Sequence, residues 1–119
     1  MNLRLDHIQI AIPHGGEAKA RAFWCGTLGL SELEKPEPLR SRGGIWVQLD
    51  GVELHLGVEA GFMPARKAHP GFVTDGLDDI AGQLTRAGYA VTWDTNIKDR
   101  RRFFSADPFG NRLEFIQKD

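Results

Sequence analysis

The sequence predicts an α+β fold built from two tandem βαβββ modules, and three observations support this prediction. The spacing of Gly51-Val52-Glu53-Leu54-His55-Leu56 repeats in Gly110-Asn111-Arg112-Leu113-Glu114-Phe115. A looser match relates the segment around His7 to the segment around His69. Each copy also combines alternating stretches with one amphipathic helical stretch. A repeat of this kind decides the architecture before any single element does.

The first module is predicted from alternation and turn chemistry. Ile8, Ile10 and Ile12 alternate with polar residues as in a half-buried strand. Apolar residues then recur at helical spacing, and Gly29 can close that helix in a left-handed conformation. Asp50-Gly51 is a strong hairpin signal. The predicted elements are a strand over 4–12, a helix over 17–28, a strand within 31–42, and strands over 45–50 and 52–58.

The second module repeats this pattern after a connector at about 59–68. Asp75, Asp78 and Asp79 place negative charge at the start of a helix, and Arg86 and Gly88 lie at its end. The predicted strands are 70–74, 89–93, 101–106 and 111–117. We therefore expect a single domain over 1–119, with module one at about 1–58 and module two at about 69–117.

Composition excludes several classes of protein. The chain has 119 residues and a formal net charge of −1, which does not suit a nucleic-acid-binding protein. No apolar run approaches the roughly 20 residues of a membrane span, and the start of the chain does not read as a signal peptide. The single cysteine, Cys25, fits a reducing compartment. We expect a cytoplasmic protein that contacts neither nucleic acid nor membrane.

Four residues that can bind metals occupy equivalent positions in the two modules. His7 and His69 belong to the first strand region of each module, whereas His55 and Glu114 belong to the last strand. Strand alternation places each of them opposite the apolar side chains, on the face away from the helices. In a curved sheet that face can be concave and polar, as a binding cavity requires.

The chemistry of these four side chains indicates a transition metal. Three imidazoles and one carboxylate suit Ni, Co, Mn, Fe or Zn better than Ca or Mg, which prefer oxygen ligands. A single histidine or glutamate on a polar strand face is usually just solvated. The pairing of all four by the repeat is what favours a metal site.

At these residues the chain resembles the vicinal-oxygen-chelate superfamily, which includes glyoxalase I, bleomycin-resistance proteins, fosfomycin-resistance proteins and extradiol dioxygenases. The resemblance covers nearly the whole chain, and its most specific part is the ending Asp107-Pro108-Phe109-Gly110-Asn111-Arg112-Leu113-Glu114-Phe115. The other segments that carry it are Leu5-Asp6-His7-Ile8-Gln9-Ile10, the helix from Ala22 to Leu30, Val52-Glu53-Leu54-His55-Leu56 and His69-Pro70-Gly71-Phe72.

The resemblance implies a curved, cup-like mixed sheet with helices on its outer face, in which two modules surround one metal. The implied ligands are His7, His55, His69 and Glu114. In the alternative three-ligand set, His7, His69 and Glu114 bind the metal and His55 does not. Members of this length commonly build the cup across a symmetric pair, so a homodimer is also implied.

These inferences predict a divalent-metal-dependent enzyme, a lyase, isomerase or transferase, that chelates a small substrate through adjacent oxygens. Glu114 is the only carboxylate of the set and would be the catalytic base. His55 stands where glyoxalase I has an acidic ligand, which argues against true glyoxalase activity. Two alternatives stay open: a metal-free, bleomycin-resistance-like protein that binds a drug or other small molecule, and an extradiol-type dioxygenase.

The substrate itself is not predicted beyond its charge. Basic residues cluster in the loops and would favour an anionic small molecule if they reach the cavity. Arg102 and Trp46 are weak candidates for substrate binding. Glu53 shares a strand face with His55 and could orient its imidazole.

Overall fold

The chain divides into two compact units, residues 1–63 and 64–119, in a computed structural model that describes residues 1–119. Each unit contains one four-stranded mixed sheet. None of the helices has the length and apolar character that crossing a bilayer requires.

The first unit has the strand order β1-β4-β3-β2. Its elements are β1 (His7–Ile12), α1 (Glu17–Arg21), a π-helix (Ala22–Thr27), β2 (Glu32–Leu33), α2 (Glu37–Arg40), β3 (Ile45–Gln48) and β4 (Glu53–Val58). β1 runs parallel to β4, and the other neighbours are antiparallel. A parallel pair needs a crossover connection, which the helical segment supplies.

The second unit repeats this topology with the order β5-β8-β7-β6. Its elements are β5 (Gly71–Thr74), α3 (Leu77–Arg86), β6 (Thr92–Asp94), β7 (Arg102–Ala106) and β8 (Arg112–Gln117). β5 runs parallel to β8, and the remaining pairs are antiparallel. The predicted α+β fold of two tandem βαβββ modules is therefore confirmed, and the short β2 is the strand expected within 31–42.

The helix predicted over 17–28 is present, but its second half is π-helical. The N–H of Leu28 donates to the carbonyl of Phe23, five residues earlier, at 3.0 Å. Gly29 follows with φ of 75°, in the left-handed conformation expected of it. Phe23 and Trp24 are fully buried on the side that faces the sheet core.

The strand predicted over 89–93 is shorter and lies later, at Thr92–Asp94. The difference arises from the way α3 ends. Tyr89 N–H donates to Leu84 O at 2.9 Å and Gly88 N–H to Thr85 O at 3.0 Å, with Gly88 at φ 90°. This is a Schellman motif, which uses the first predicted strand residue to cap the helix.

Strand alternation sorts the side chains of each sheet onto two faces, as predicted. One face of each sheet packs on its helix and forms the core of that unit. The buried apolar residues are Ile10, Ile12, Ala20, Phe23, Trp24, Ile45, Val47, Leu54 and Leu56 in the first unit, and Leu77, Ala81, Leu84, Phe103, Leu113 and Phe115 in the second. The opposite faces carry the predicted metal ligands.

The turn between β7 and β8 is organised by one buried carboxylate. Asp107 Oδ1 accepts the backbone N–H groups of Phe109 at 2.9 Å and Asn111 at 2.8 Å, and Oδ2 accepts Asn111 Nδ2 at 2.9 Å. Burial raises the pKa of Asp107, and these hydrogen bonds offset that effect only in part. The turn fixes the register that pairs Phe104 with Glu114.

Gly44 is the glycine whose replacement is expected to disturb the first sheet most. It has φ of 84°, and an added Cβ would collide with the carbonyl oxygen of Leu56 on β4. Gly51 has φ of 77° but open space around it, so Gly51→Ala measures the backbone strain alone. We expect Gly44→Ala to lower the free energy of unfolding by about 2 kcal/mol more than Gly51→Ala, because the strands must move apart. Urea unfolding of both variants tests this; equal losses would contradict it.

Candidate functional site

In the first unit, His7 and His55 come together on one face of the sheet. Their rings stack with centroids 4.4 Å apart and planes at 17°. Trp46, which pairs with His55 across β3 and β4, stacks on His55 at 3.8 Å and 1°. His55 is thus held between two rings and is only 7% exposed. The predicted shared face of the two histidines is confirmed.

Each histidine of this pair has one ring nitrogen held by a carboxylate. Asp6 Oδ2 lies 2.9 Å from His7 Nδ1, and Glu53 Oε1 lies 3.0 Å from His55 Nε2. Because a carboxylate accepts, the ring nitrogen that faces it donates, and the nitrogens that do not face these carboxylates are His7 Nε2 and His55 Nδ1. The predicted contact between Glu53 and His55 is present. Asp6 was not predicted, because it precedes the strand and does not follow its alternation.

In the second unit, His69 and Glu114 form the corresponding pair. His69 Nε2 lies 2.9 Å from Glu114 Oε1, and His69 Nδ1 lies 2.8 Å from the backbone carbonyl of Lys67. Both ring nitrogens therefore face oxygen acceptors. Without a metal, this contact requires a proton on each nitrogen of His69 or a proton on Glu114.

Arg102 links Glu114 to a second carboxylate, that of Asp94. Its Nη1 donates to Glu114 Oε2 at 3.0 Å, and its Nε donates to Asp94 Oδ2 at 2.7 Å. Burial raises the pKa of Glu114, but the hydrogen bonds from His69 and Arg102 outweigh burial and hold that pKa below its ordinary value. Glu114 is therefore a carboxylate at neutral pH, with Oε2 occupied and Oε1 directed at His69.

A cavity of about 540 Å³ opens on the polar face of the first sheet. Its lining includes Asp6, His7, Gln9, Trp46, Glu53 and His55. It also includes Lys35, Leu39, Arg42, Gly43 and Val58. Its volume lies within the range of small-molecule sites. Trp46 therefore lines a cavity, as its candidacy for substrate binding requires.

The four predicted ligands appear as two pairs, one in each unit. In neither unit does a group of three or more His, Cys, Asp or Glu side chains gather as a complete metal site would require. Sequence reasoning missed Asp6, the Lys67 carbonyl and Asp94. Only Asp6 gave a signal, as the carboxylate directly before His7.

The residues present fit a divalent transition metal by their chemistry. A metal-bound histidine usually donates its other N–H to a carboxylate or a backbone carbonyl, as His7, His55 and His69 all do here.

Comparison with known proteins decides the family. The model of the Glyoxalase/Bleomycin resistance protein/Dioxygenase superfamily matches residues 4–115, nearly the whole chain. The chain belongs to this superfamily. The chain is 42% identical in sequence to a glyoxalase family protein from Bacillus anthracis. The crystal structure of that protein matches with a TM-score of 0.95 over 100% of this chain and 98% of that one. The resemblance seen in the sequence is thereby confirmed.

More distant structures share the fold of this glyoxalase-superfamily chain. A superfamily member from Sphaerobacter thermophilus is 20% identical, with a TM-score of 0.78 over 98% of both chains. An antibiotic-binding protein from Streptomyces sp. is 24% identical, with a TM-score of 0.69 over 99% of this chain and 100% of that one. No curated protein matches the chain.

Proposed function

We propose that this glyoxalase-superfamily protein is a divalent-metal-dependent enzyme that acts on a small molecule through two adjacent oxygens. The proposed metal ligands are His7, His55, His69 and Glu114. One observation carries the proposal: each of the three histidines has one ring nitrogen held by an oxygen acceptor. Metal ligands need such partners to fix the tautomer and the ring plane.

The remaining residues of the proposed site have separate roles. A bound metal ion would stabilise negative charge that develops on the substrate oxygens. Glu114 would accept a proton at Oε1, because Arg102 occupies Oε2 and favours the ionised carboxylate. Asp6 and Glu53 orient His7 and His55, and Trp46 holds the ring of His55 from one side. The transformation is a lyase, isomerase or transferase reaction, whose substrate the cavity lining selects.

Metal analysis tests this proposal directly. Protein purified without a metal-affinity tag is expected to contain close to one Ni, Co, Mn, Fe or Zn ion per site. His7→Ala is expected to weaken metal binding by at least about tenfold, since even the partners of ligands contribute that much. His14→Ala is the matched control, because His14 is exposed and no ligand role is proposed for it. Metal-free wild-type protein that also fails to bind these ions on titration would refute the proposal.

A second candidate is a metal-free small-molecule-binding protein, and one observation favours it. The rings of His7 and His55 are stacked, so their in-plane lone pairs lie in nearly parallel planes, which does not favour a shared metal. In addition, both carboxylate oxygens of Glu114 already have hydrogen-bond partners, His69 and Arg102. An antibiotic-binding protein of this fold supports a ligand of drug-like size. Metal-independent binding of such a molecule, with no turnover, would favour this candidate.

A further inference from the structure

The cavity of the first unit is chemically different at its two ends. The end next to the histidine pair contains two carboxylates, Asp6 and Glu53, and each is engaged by a histidine. The other end contains two cations, Lys35 and Arg42. Lys35 donates its ammonium group to the carbonyl of Gly43, whereas Arg42 is exposed and belongs to none of the ion pairs of the first unit. Arg42 is therefore the cation available to a ligand.

Strand register places these two ends at a definite separation. Trp46 pairs with His55 and Ile45 with Leu56, so the loop at Gly43 comes opposite Val58. The packing agrees, because a Cβ built on Gly43 would lie 3.2 Å from Val58 Cγ2. Three residues of strand separate His55 from Val58, which corresponds to about 10 Å. The cavity therefore extends along β4 from the histidine pair toward the segment that carries Arg42.

The segment that carries Arg42 is fixed to the sheet at two points. Glu17 Oε2 accepts the N–H of Gly44 at 3.1 Å, and this hydrogen bond lowers the pKa of Glu17. Lys35 holds the carbonyl of the neighbouring Gly43 from the other side. The backbone next to Arg42 is therefore restrained before a ligand binds. Less conformational entropy is then lost when the guanidinium of Arg42 binds an anion.

We propose that Arg42 forms an anion subsite for a carboxylate or phosphonate at the far end of an elongated substrate. The other end of that substrate carries the two adjacent oxygens and lies at the histidine pair. This inference rests on the proposed function for the chelated end only. Trp46 lies level with the histidine pair and is stacked on His55, and the side chain of Gln9 lies against Gly57 on the way toward Val58.

Matched probes test the anion subsite. 3,4-Dihydroxycinnamate has adjacent hydroxyl groups at one end of a planar chain and a carboxylate at the other, and its methyl ester is uncharged. Calorimetric titration of metal-loaded wild-type protein is expected to show about five- to tenfold tighter binding of the acid, the size of one charged hydrogen bond near solvent. Arg42→Gln is expected to abolish this preference without weakening the ester. Lys19→Gln, which removes an exposed cation outside the cavity, is expected to preserve it.

The outcomes separate this inference from the proposed function. Equal affinity of acid and ester for the wild type, a preference that persists in Arg42→Gln, or no binding of either probe would overturn the subsite. Metal titration of Arg42→Gln is expected to match wild type. If the chain binds no metal and still prefers the acid in an Arg42-dependent manner, the subsite stands and the proposed metal-dependent function fails.

Discussion

Replacing Asp107 with alanine is expected to lower the free energy of unfolding by about 4 kcal/mol. The wild-type carboxylate is 4% exposed and accepts three hydrogen bonds within the β7–β8 turn. Hydrogen bonds to charged groups contribute about 1.5–3 kcal/mol each, and backbone N–H groups left buried without a partner add a penalty. Urea unfolding monitored by tryptophan fluorescence measures the loss.

The corresponding turn of the first unit supplies a control for Asp107→Ala. Asp50 lies in the β3–β4 turn, is exposed, and makes no side-chain hydrogen bond described above. Asp50→Ala is therefore expected to cost less than about 1 kcal/mol, as an ordinary surface change does. If the two variants lost similar stability, the carboxylate of Asp107 would not be what organises its turn.

The repeat made most of the fold predictable from sequence. Alternation in β1, β4 and β8, the amphipathic pattern of α3 and the glycine-bearing turns all follow from short-range rules. Those rules act within a few residues, so they predicted which helices and strands form. They predicted less well the residues at which each helix or strand begins and ends. The shift of β6 shows the limit: the sequence of Tyr89 to Trp93 suits a strand, but capping of α3 takes its first residue.

The candidate ligands were predictable for the same reason, and their partners were not. Strand parity placed His7 with His55 and His69 with Glu114, because parity depends only on spacing. The partners Asp94 and Lys67 lie outside any such pattern. Asp94 meets Arg102 only because β6 pairs with β7, and the carbonyl of Lys67 is a backbone group that no residue type reveals.

The two units differ at one pair of equivalent positions beside the candidate ligands. Trp46 on β3 corresponds to Phe104 on β7, since they pair with His55 and Glu114 respectively. Two residues earlier, Gly44 corresponds to Arg102. Arg102 holds Glu114 in the second unit, whereas the first unit has no side chain at the equivalent position.

Converting Glu114 to glutamine is expected to weaken divalent-metal binding by at least about 100-fold. The substitution keeps the size of the side chain but removes the only carboxylate among the four proposed ligands. It also places an amide beside His69 Nε2 and Arg102 Nη1, both of which face carboxylate oxygens in the wild type. Loss of a ligand charge is expected to exceed the 10- to 100-fold loss seen when a partner of a ligand is removed. Competition titration with a chromophoric chelator measures the affinity.

Two other glutamate-to-glutamine changes calibrate this result. Glu53→Gln replaces the charged acceptor of His55 Nε2 with a neutral amide and is expected to weaken metal binding by about 10- to 100-fold, less than Glu114→Gln. Glu34→Gln changes an exposed residue paired with Arg40 and is expected to leave metal affinity unchanged. The loss of metal affinity is expected to be largest for Glu114→Gln, smaller for Glu53→Gln and absent for Glu34→Gln. This order distinguishes a ligand from a residue that orients a ligand and from a residue outside the site. A uniform effect of all three would mean that net charge, and not coordination by Glu114, attracts the metal.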